Sequence, residues 1–159
     1  YQGRKKRRTT NALYLTDRQG LPLAMSVPVC GHHHDLFDIE THFQELTSTL
    51  KQADIALNGL FLNLDSGFDA ENLRTKSESM GIIVNIAHNK RNSGVYNDHY
   101  FDQELYKERY AIERTNAWLD SFRSVLNRFD TTITSWMGFN YLAFCVIGIN
   151  KFTKYKKSR

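Results

Sequence analysis

Asp65 closes the short apolar run Leu60-Phe61-Leu62-Asn63-Leu64-Asp65 and is followed by Ser66-Gly67-Phe68-Asp69. A carboxylate at the C-terminal end of a buried parallel strand points into the crevice where open α/β sheets place their ligands. An Asp there also suits a helix N-cap or a tight turn, because its side-chain oxygens accept nearby backbone N–H groups. A second set, Tyr106, Arg109, Glu113 and Asp120, is spaced by three, four and seven residues, which on one helix stacks the side chains along a stripe beside the apolar face. A Glu on that stripe can reach a carboxylate at a neighbouring strand end, and two converging carboxylates favour a hard divalent cation such as Mg²⁺. A surface ion pair between Arg109 and Glu113, worth only tenths of a kcal/mol, satisfies the same spacing. His32-His33-His34 with Asp35 offers imidazoles for Zn²⁺ or Cu²⁺, but adjacent histidines at a turn do not converge on one ion and no distant Cys or His pair completes a set.

These residues need elements to carry them. Ala12-Leu13-Tyr14-Leu15 and Leu21-Pro22-Leu23-Ala24-Met25-Ser26-Val27-Pro28-Val29, separated by Thr16-Asp17-Arg18-Gln19-Gly20, read as a hairpin with the prolines at strand ends or unpaired positions. Leu36, Phe37, Ile39, Phe43, Leu46 and Leu50 recur at helical spacing behind a candidate N-cap, Asp35. The run that ends at Asp65, a helix over about 70–80 closed by Gly81, and Ile82-Ile83-Val84-Asn85-Ile86-Ala87 form a strand, helix, strand order that implies a parallel βαβ unit of buried strands. Residues 88–100 are polar and read as a loop carrying Lys90 and Arg91. No Gly or Pro interrupts 103–128, where Leu105, Ile112, Leu119, Phe122 and Leu126 recur every three, four or seven residues, so one long helix is expected. A last helix over about 135–152 is apolar almost all round, which predicts that it is substantially buried.

Composition bounds the class. The 159 residues are 41% hydrophobic and 24% charged, enough for one domain with a packed core and too apolar for a disordered chain. Lys plus Arg number 21 against 17 Asp plus Glu, a net charge of +4. The excess sits at the ends, in Arg4-Lys5-Lys6-Arg7-Arg8 and in Lys151, Lys154, Lys156, Lys157 and Arg159, where it marks polyanion contacts or simply solvated termini. Cys30 and Cys145 lie in apolar stretches without C-x-x-C spacing and read as two small buried hydrophobes in a reducing compartment. The longest apolar run, residues 141–149, falls short of the roughly 20 residues of a membrane-spanning helix, and no leader-like segment opens the chain. A soluble, intracellular protein is therefore expected. Tyr1 rather than Met in front of a basic cluster reads as the start of a fragment or trimmed domain.

The element order, together with Asp17-Arg18-Gln19-Gly20-Leu21-Pro22-Leu23, His34-Asp35, Leu64-Asp65-Ser66-Gly67-Phe68-Asp69 and Tyr106-Lys107-Glu108-Arg109-Tyr110-Ala111-Ile112-Glu113-Arg114, resembles the DDE transposases of bacterial insertion sequences. It is most similar to the group whose C-terminal signature is Tyr, two residues, Arg, three residues, Glu, six residues, Lys. Tyr106, Arg109 and Glu113 match that signature, and the resemblance runs over about 3–149. Asp120 occupies the place of the final Lys, which in the family contacts DNA near the transposon end. Arg114 and Arg123 are the candidate substitutes.

The resemblance implies an α/β, RNase H-like (retroviral-integrase-like) fold, a mixed sheet flanked by helices. Its first strand, with the first catalytic Asp, would precede the hairpin and so be missing from this chain, which predicts marginal stability or swapping with a partner at the open edge. It implies one partial catalytic domain over 1–159, with basic segments at 1–10 and 152–159. It further implies Mg²⁺ or Mn²⁺ held by catalytic Asp65 and Glu113, 48 positions apart (65 to 113), two-metal phosphoryl transfer at insertion-sequence ends, and no activity from this chain alone. DNA contacts fall on Tyr106, Arg109, Arg114, Arg123, Lys5, Lys6, Arg7 and Arg8. The partners would be double-stranded DNA at the transposon ends and target, with a homodimer on DNA when full length, no membrane, and a cytoplasmic, nucleoid-associated location in bacteria. Trp118, on the same helix as Glu113, would either stack on a flipped base or pack. The competing expectation is a degenerate chain that binds DNA without cutting it.

The distribution of charge predicts weak duplex binding whose affinity falls steeply with salt. Deleting residues 1–8 should flatten the slope of log affinity against log salt, measured by fluorescence anisotropy; a binding curve unchanged between low and physiological salt would exclude phosphate contacts by the basic ends.

Overall fold

The protein is described by a computed structural model at residues 10–34, 36–89 and 99–157. It is a mixed α/β chain: β1 (Thr10–Asn11), β2 (Tyr14–Thr16), β3 (Pro22–Met25), β4 (Val29–Cys30), α1 (Ile39–Gln52), β5 (Phe61–Leu64), α2 (Glu71–Ser79), β6 (Ile83–Ile86), α3 (Gln103–Tyr106), α4 (Ala111–Leu119), α5 (Arg123–Leu126) and α6 (Ile133–Lys157), with 3₁₀ turns at Ser66–Phe68 and Lys107–Tyr110. It divides into two compact units, one of Tyr1–Leu13 and Ala24–Arg109, the other of Tyr14–Leu23 and Tyr110–Arg159.

In the first unit β5 and β6 pair in parallel, Phe61 opposite Ile83 through Leu64 opposite Ile86, with α2 between them in sequence. Two four-residue strands can be parallel only if a crossover returns the chain to the same end, and α2 is that crossover. It stops where expected: Met80 is the C-cap, Gly81 follows at φ +71°, and the Gly81 and Ile82 N–H groups donate to Glu78 O and Ser77 O. A Cβ at Gly81 would lie within 3.2 Å of Asn58 backbone and side-chain atoms, so glycine is required there by both torsion and space. The expectation of two buried strands needs correction. β6 is buried at Val84, Asn85 and Ile86, whereas β5 is exposed at Phe61 and only half-buried beyond it, because the described residues give it one strand neighbour.

The first unit's other elements are short strands and one long helix. β1 and β4 pair antiparallel, Thr10 opposite Cys30. α1 buries Ile39, Phe43, Leu46 and Leu50, the stripe its spacing predicts, but it begins at Ile39 with Asp38 at the cap in a left-handed conformation (φ 48°) and no side-chain cap bond. Leu36 and Phe37 precede the helix, and Asp35 lies outside the described residues. Among the described residues the strands pair as two-stranded ladders, β1–β4, β2–β3 and β5–β6.

In the second unit the hairpin forms as expected. β2 pairs with β3, and Asp17 closes the turn by accepting the N–H groups of Gln19 (2.8 Å) and Leu21 (2.7 Å). Pro22 is the first residue of its strand, where a missing N–H costs no ladder bond. α4 packs on this turn: Thr115 donates its hydroxyl to Gly20 O (2.5 Å) and Arg114 donates to Gln19 O (3.0 Å). Behind it, Tyr14 donates to Oδ1 of fully buried Asn140 (2.9 Å), and burial pushes the Tyr14 hydroxyl up to a pKa of about 12.

The single long helix expected over 103–128 is not formed. The chain gives α3, a 3₁₀ turn, α4 and α5, so Tyr106, Arg109 and Glu113 occupy three successive elements and Asp120 is the C-cap of α4. The break after α4 has a local cause: the Ser121 hydroxyl donates to Trp118 O (2.6 Å) and Phe122 turns extended (φ −95°, ψ 105°), the competition by which a short polar side chain ends a helix.

Two further corrections concern α6. It is longer than expected, starting where the Thr132 hydroxyl accepts the Ser135 N–H (3.1 Å), and it is not substantially buried. Trp136, Asn140, Ala143, Phe144 and Ile147 are covered, while Leu142 (61%), Ile149 (65%) and Phe152 (73%) are exposed. Over Ile133–Lys156 the helix is long and apolar enough to cross a membrane by length and composition, so the run 141–149 understated its apolar extent. Cys30 and Cys145, expected to be buried, are exposed free thiols.

Gly20 combines φ +83° with a space in which an added Cβ would approach Ala111 O to 2.8 Å and Arg114 Cβ to 3.3 Å. Gly20→Ala should therefore cost more than the roughly 1–2 kcal/mol of the left-handed torsion alone, read as a lowered midpoint in urea; an unchanged midpoint would mean that the turn does not need its glycine.

Candidate active site

Asp65 follows β5 directly, and in the same short loop it meets both readings of its sequence. It is the N-cap of the 3₁₀ turn, with Oδ1 accepting the Ser66 N–H at 2.7 Å, and it is an exposed carboxylate at the C-terminal end of a parallel strand. The Tyr106 hydroxyl donates to the same oxygen over a long 3.4 Å. The Arg109 guanidinium carbon lies 5.0 Å from the centre of the Tyr106 ring, a cation–π arrangement, and the ring also meets Phe101 edge-on at 5.2 Å. Asp65 and two of the four residues singled out by spacing, Tyr106 and Arg109, are thus gathered in the first unit.

What brings Tyr106 to Asp65 is a ladder of two amides, Asn85 buried and Asn63 half-buried. Asn63 and Asn85 are register partners on β5 and β6, and Asn85 Nδ2 donates to Asn63 Oδ1 at 2.9 Å. The pair then grips the start of α3: Asn63 donates to Leu105 O (2.8 Å), Asn85 donates to Asp102 O (2.9 Å), and Asn85 Oδ1 accepts the Asp102 N–H (2.8 Å). Asp102 in turn caps α3 by accepting the Leu105 N–H (2.9 Å). Asn85 is completely buried, so each of these bonds replaces water that cannot reach it.

The loop behind Asp65 is fixed from inside. Asp69 accepts from Arg74 Nε (3.1 Å) and Nη2 (2.7 Å) and from the Asn89 N–H (2.8 Å), with His88 Nδ1 at 3.5 Å, and Arg74 also donates to Ile86 O (3.2 Å). Burial raises the Asp69 carboxyl, and the Asn89 N–H, the Arg74 guanidinium and His88 outweigh it, leaving the group below its ordinary range. Arg74 and Asp69 are both under 10% exposed. Neither residue, nor the Asn63–Asn85 pair, was singled out from sequence. The available signal was polar residues inside apolar strands and a carboxylate four positions after another.

The remaining expected site residues lie elsewhere. Glu113 is an exposed carboxylate in the first turn of α4, in the second unit. Arg114 is exposed and tied to the hairpin turn. Arg123 begins α5 with its guanidinium carbon 5.9 Å from the Phe129 ring centre. Trp118 carries Lys151 Nζ 4.1 Å above its ring, which assigns it to packing between α4 and α6. Lys5, Lys6, Arg7, Arg8, Lys90 and Arg91 lie outside the described residues. His33 stacks on Phe37 (3.7 Å between ring centres) and His32 leans on His33 (4.1 Å), a side-by-side arrangement rather than a convergent one. Among the described residues no group of three or more His, Cys, Asp or Glu gathers as a metal site. Asp65 and Glu113 each present oxygen-only, exposed carboxylates, the donor chemistry that suits Mg²⁺ or Mn²⁺.

A parallel strand thus ends on an exposed Asp with the Tyr and Arg of the signature beside it. The chain matches the transposase DDE domain over residues 1–145, and it belongs to that family. A relative from Brucella ovis, described as a putative transposase for insertion sequence element IS6501, is 31% identical over 144 residues, covering 87% of this chain and 97% of the relative. No solved structure matches significantly.

Asp69→Asn should leave Arg74 buried without its counter-charge and cost about 3 kcal/mol. Because the folded carboxyl titrates below its unfolded value, its contribution is complete at neutral pH and is lost as pH falls through the lowered range. The variant should thus show a shallower loss of stability below about pH 4, followed by urea midpoints against pH; parallel acid limbs in the two proteins would contradict the assignment.

Proposed function

We propose that this chain carries the strand-cutting and strand-joining site of an insertion-sequence transposase, built on an RNase H-like core. Phosphodiester bonds at the element's ends are hydrolysed and the released 3′-OH is joined to target DNA. The observation that carries this reading is the Tyr106 hydroxyl on the Asp65 carboxylate with Arg109 over the Tyr106 ring, at the end of a parallel strand.

Each residue has a task that follows from its chemistry. Asp65 and Glu113 are the carboxylates that would hold a divalent cation, Mg²⁺ or Mn²⁺. When bound, such ions stabilise the attacking and leaving oxygens of an in-line displacement. Tyr106 orients the Asp65 carboxylate by donating to it. Arg109, over the Tyr106 ring, supplies a guanidinium of the kind that recognises phosphate. The Asn63–Asn85 ladder holds α3 so that the Tyr and the Asp stay within bonding reach. Arg114, Arg123 and the basic segment Lys5, Lys6, Arg7 and Arg8 add contacts to the DNA backbone without reading its sequence. The substrate is double-stranded DNA at the element's ends and target, bound by a homodimer, and the place of action is the bacterial nucleoid.

One observation favours a second reading: Asp120 puts a negative charge where the signature has a Lys, as in a protein that binds DNA but has lost strand transfer. The experiment is Mg²⁺-dependent nicking of a duplex carrying the element's own terminal repeat by this chain joined to an upstream β-strand ending in Asp, since the chain alone is expected to be inactive. Asp65→Asn and Glu113→Gln should each reduce nicking by at least about 10³-fold, since a preorganised charge-stabilising group is commonly worth 10²–10³ or more, while duplex binding persists. Arg109→Ala should weaken binding and reduce the salt slope by about one phosphate contact. Nicking that survives both carboxylate changes would refute the site, and binding without nicking by the unsubstituted protein would favour the second reading.

A further inference from the structure

α6 contains no Asp or Glu along its whole length, and its last two turns carry Lys151, Lys154, Lys156 and Lys157. Lys151, Lys154 and Lys156 are exposed, and Lys151 holds its Nζ 4.1 Å above the Trp118 ring, a cation–π contact that leaves its charge uncancelled. Among these lysines stand two exposed aromatic rings, Phe152 (73%) and Tyr155 (59%). On a helix of 3.6 residues per turn, Phe152 and Tyr155 are neighbours on one strip. Lys151 and Lys154 line the side next to Tyr155, and Lys156 lines the side next to Phe152. One turn nearer the helix start the strip opens at Gly148, where an added Cβ would meet nothing within 4 Å. An open groove of about 500 Å³ lies there, lined by Gly148, Phe152, Thr153 and Lys156 among others.

We propose that this end of α6 binds single-stranded DNA, with unpaired bases stacked on Phe152 and Tyr155 and the phosphate backbone tracked by the lysines on either side. Charge selects a polyanion, since a helix segment with lysines and no carboxylate attracts phosphates in any sequence. The rings select the form of that polyanion. A duplex buries the faces of its bases, so it would use the lysines and leave both rings bare, whereas an unpaired strand presents a flat π-face beside each phosphate. An anionic membrane surface fits less well. A helix lying in a lipid interface carries cations along its polar face, and residues 133–150 contain none. Such a helix would also have to withdraw Trp136 and Asn140 from their hydrogen bonds to Val125 and Tyr14. The strip gives the chain a second nucleic-acid surface, for unpaired strands, besides the duplex contacts proposed above.

Binding here is read without cleavage, so this proposal and the reading of the Asp65 site fail separately. The test titrates the whole 159-residue chain against a fluorescein-labelled oligothymidylate of about 12 nucleotides, within the span of a single-strand site, an abasic oligomer of equal length, and a duplex of equal length. The unsubstituted chain should bind the oligothymidylate about 10-fold or more tighter than the abasic oligomer, which has the phosphates and lacks the bases. That comparison does not depend on how any variant folds. Phe152→Ala with Tyr155→Ala should remove the difference while duplex affinity and circular dichroism stay unchanged, and Phe152→Trp with Tyr155→Trp should keep it. Lys154→Ala with Lys156→Ala should lower the slope of log affinity against log salt by about 1.4, at ~0.7 per phosphate on a single strand. Equal affinity for the two oligomers, an alanine pair that binds oligothymidylate as before or loses duplex binding equally, a tryptophan pair as weak as the alanine pair, an unchanged salt slope, or sedimentation with phosphatidylserine vesicles that the alanine pair abolishes would each overturn the proposal.

Discussion

Asn63 and Asn85 face each other across two short parallel strands, and the geometry of the first unit follows from where their amide groups must find partners. Each amide has two donor hydrogens and a carbonyl oxygen, and Asn85 has no access to water. The pair meets most of that demand by binding one another and then the backbone of Asp102 and Leu105. A one-residue slip of β5 against β6 would turn one amide to the other face of the sheet and leave buried polar groups unpaired. The bonds therefore specify register as well as stability. They also fix where α3 begins, and with it the height at which Tyr106 meets the end of β5.

Electrostatics in the adjoining loop are sorted by depth. Asp69 is turned inward and neutralised by Arg74, while Asp65, four residues earlier, is turned outward with a backbone N–H, a Ser hydroxyl and a Tyr hydroxyl on one oxygen. The inner pair ties the loop to the end of β6 through Ile86 and Asn89, so the outer carboxylate stands on an anchored loop. That separation lets one five-residue loop hold both a buried ion pair and an exposed carboxylate.

Local signals carried much of this in the sequence. β5, α2, Gly81 and β6 follow from an apolar run, a helical stretch, a glycine and a second apolar run, and the Asp17–Gly20 turn from its polar residues. Asp65, Tyr106 and Arg109 were legible because several short motifs occur in order. The helix over 103–128 was misread because periodicity does not register a Ser hydroxyl competing for a backbone carbonyl, nor the capping Asp102 that starts a separate short helix. The amide ladder was illegible for a different reason: its meaning depends on a pairing between strands 22 residues apart, which no window along the chain contains. Burial of α6 failed because an apolar residue reports that a surface wants covering and does not report whether this chain covers it.

The loop Asp65-Ser66-Gly67-Phe68-Asp69 has a consequence for how copies of such a gene decay. Losing the carboxylate of Asp65 removes an exposed charge and little packing, so the chain still folds and escapes proteolysis. Losing that of Asp69 strands a buried guanidinium and sends the product to degradation. In a genome where idle copies persist while misfolded products carry a fitness cost, the outer aspartate should be erased first and the inner one should outlast it. A tally of such copies would then record loss of the outer carboxylate and loss of the fold as two separate clocks, read from the same five-residue loop.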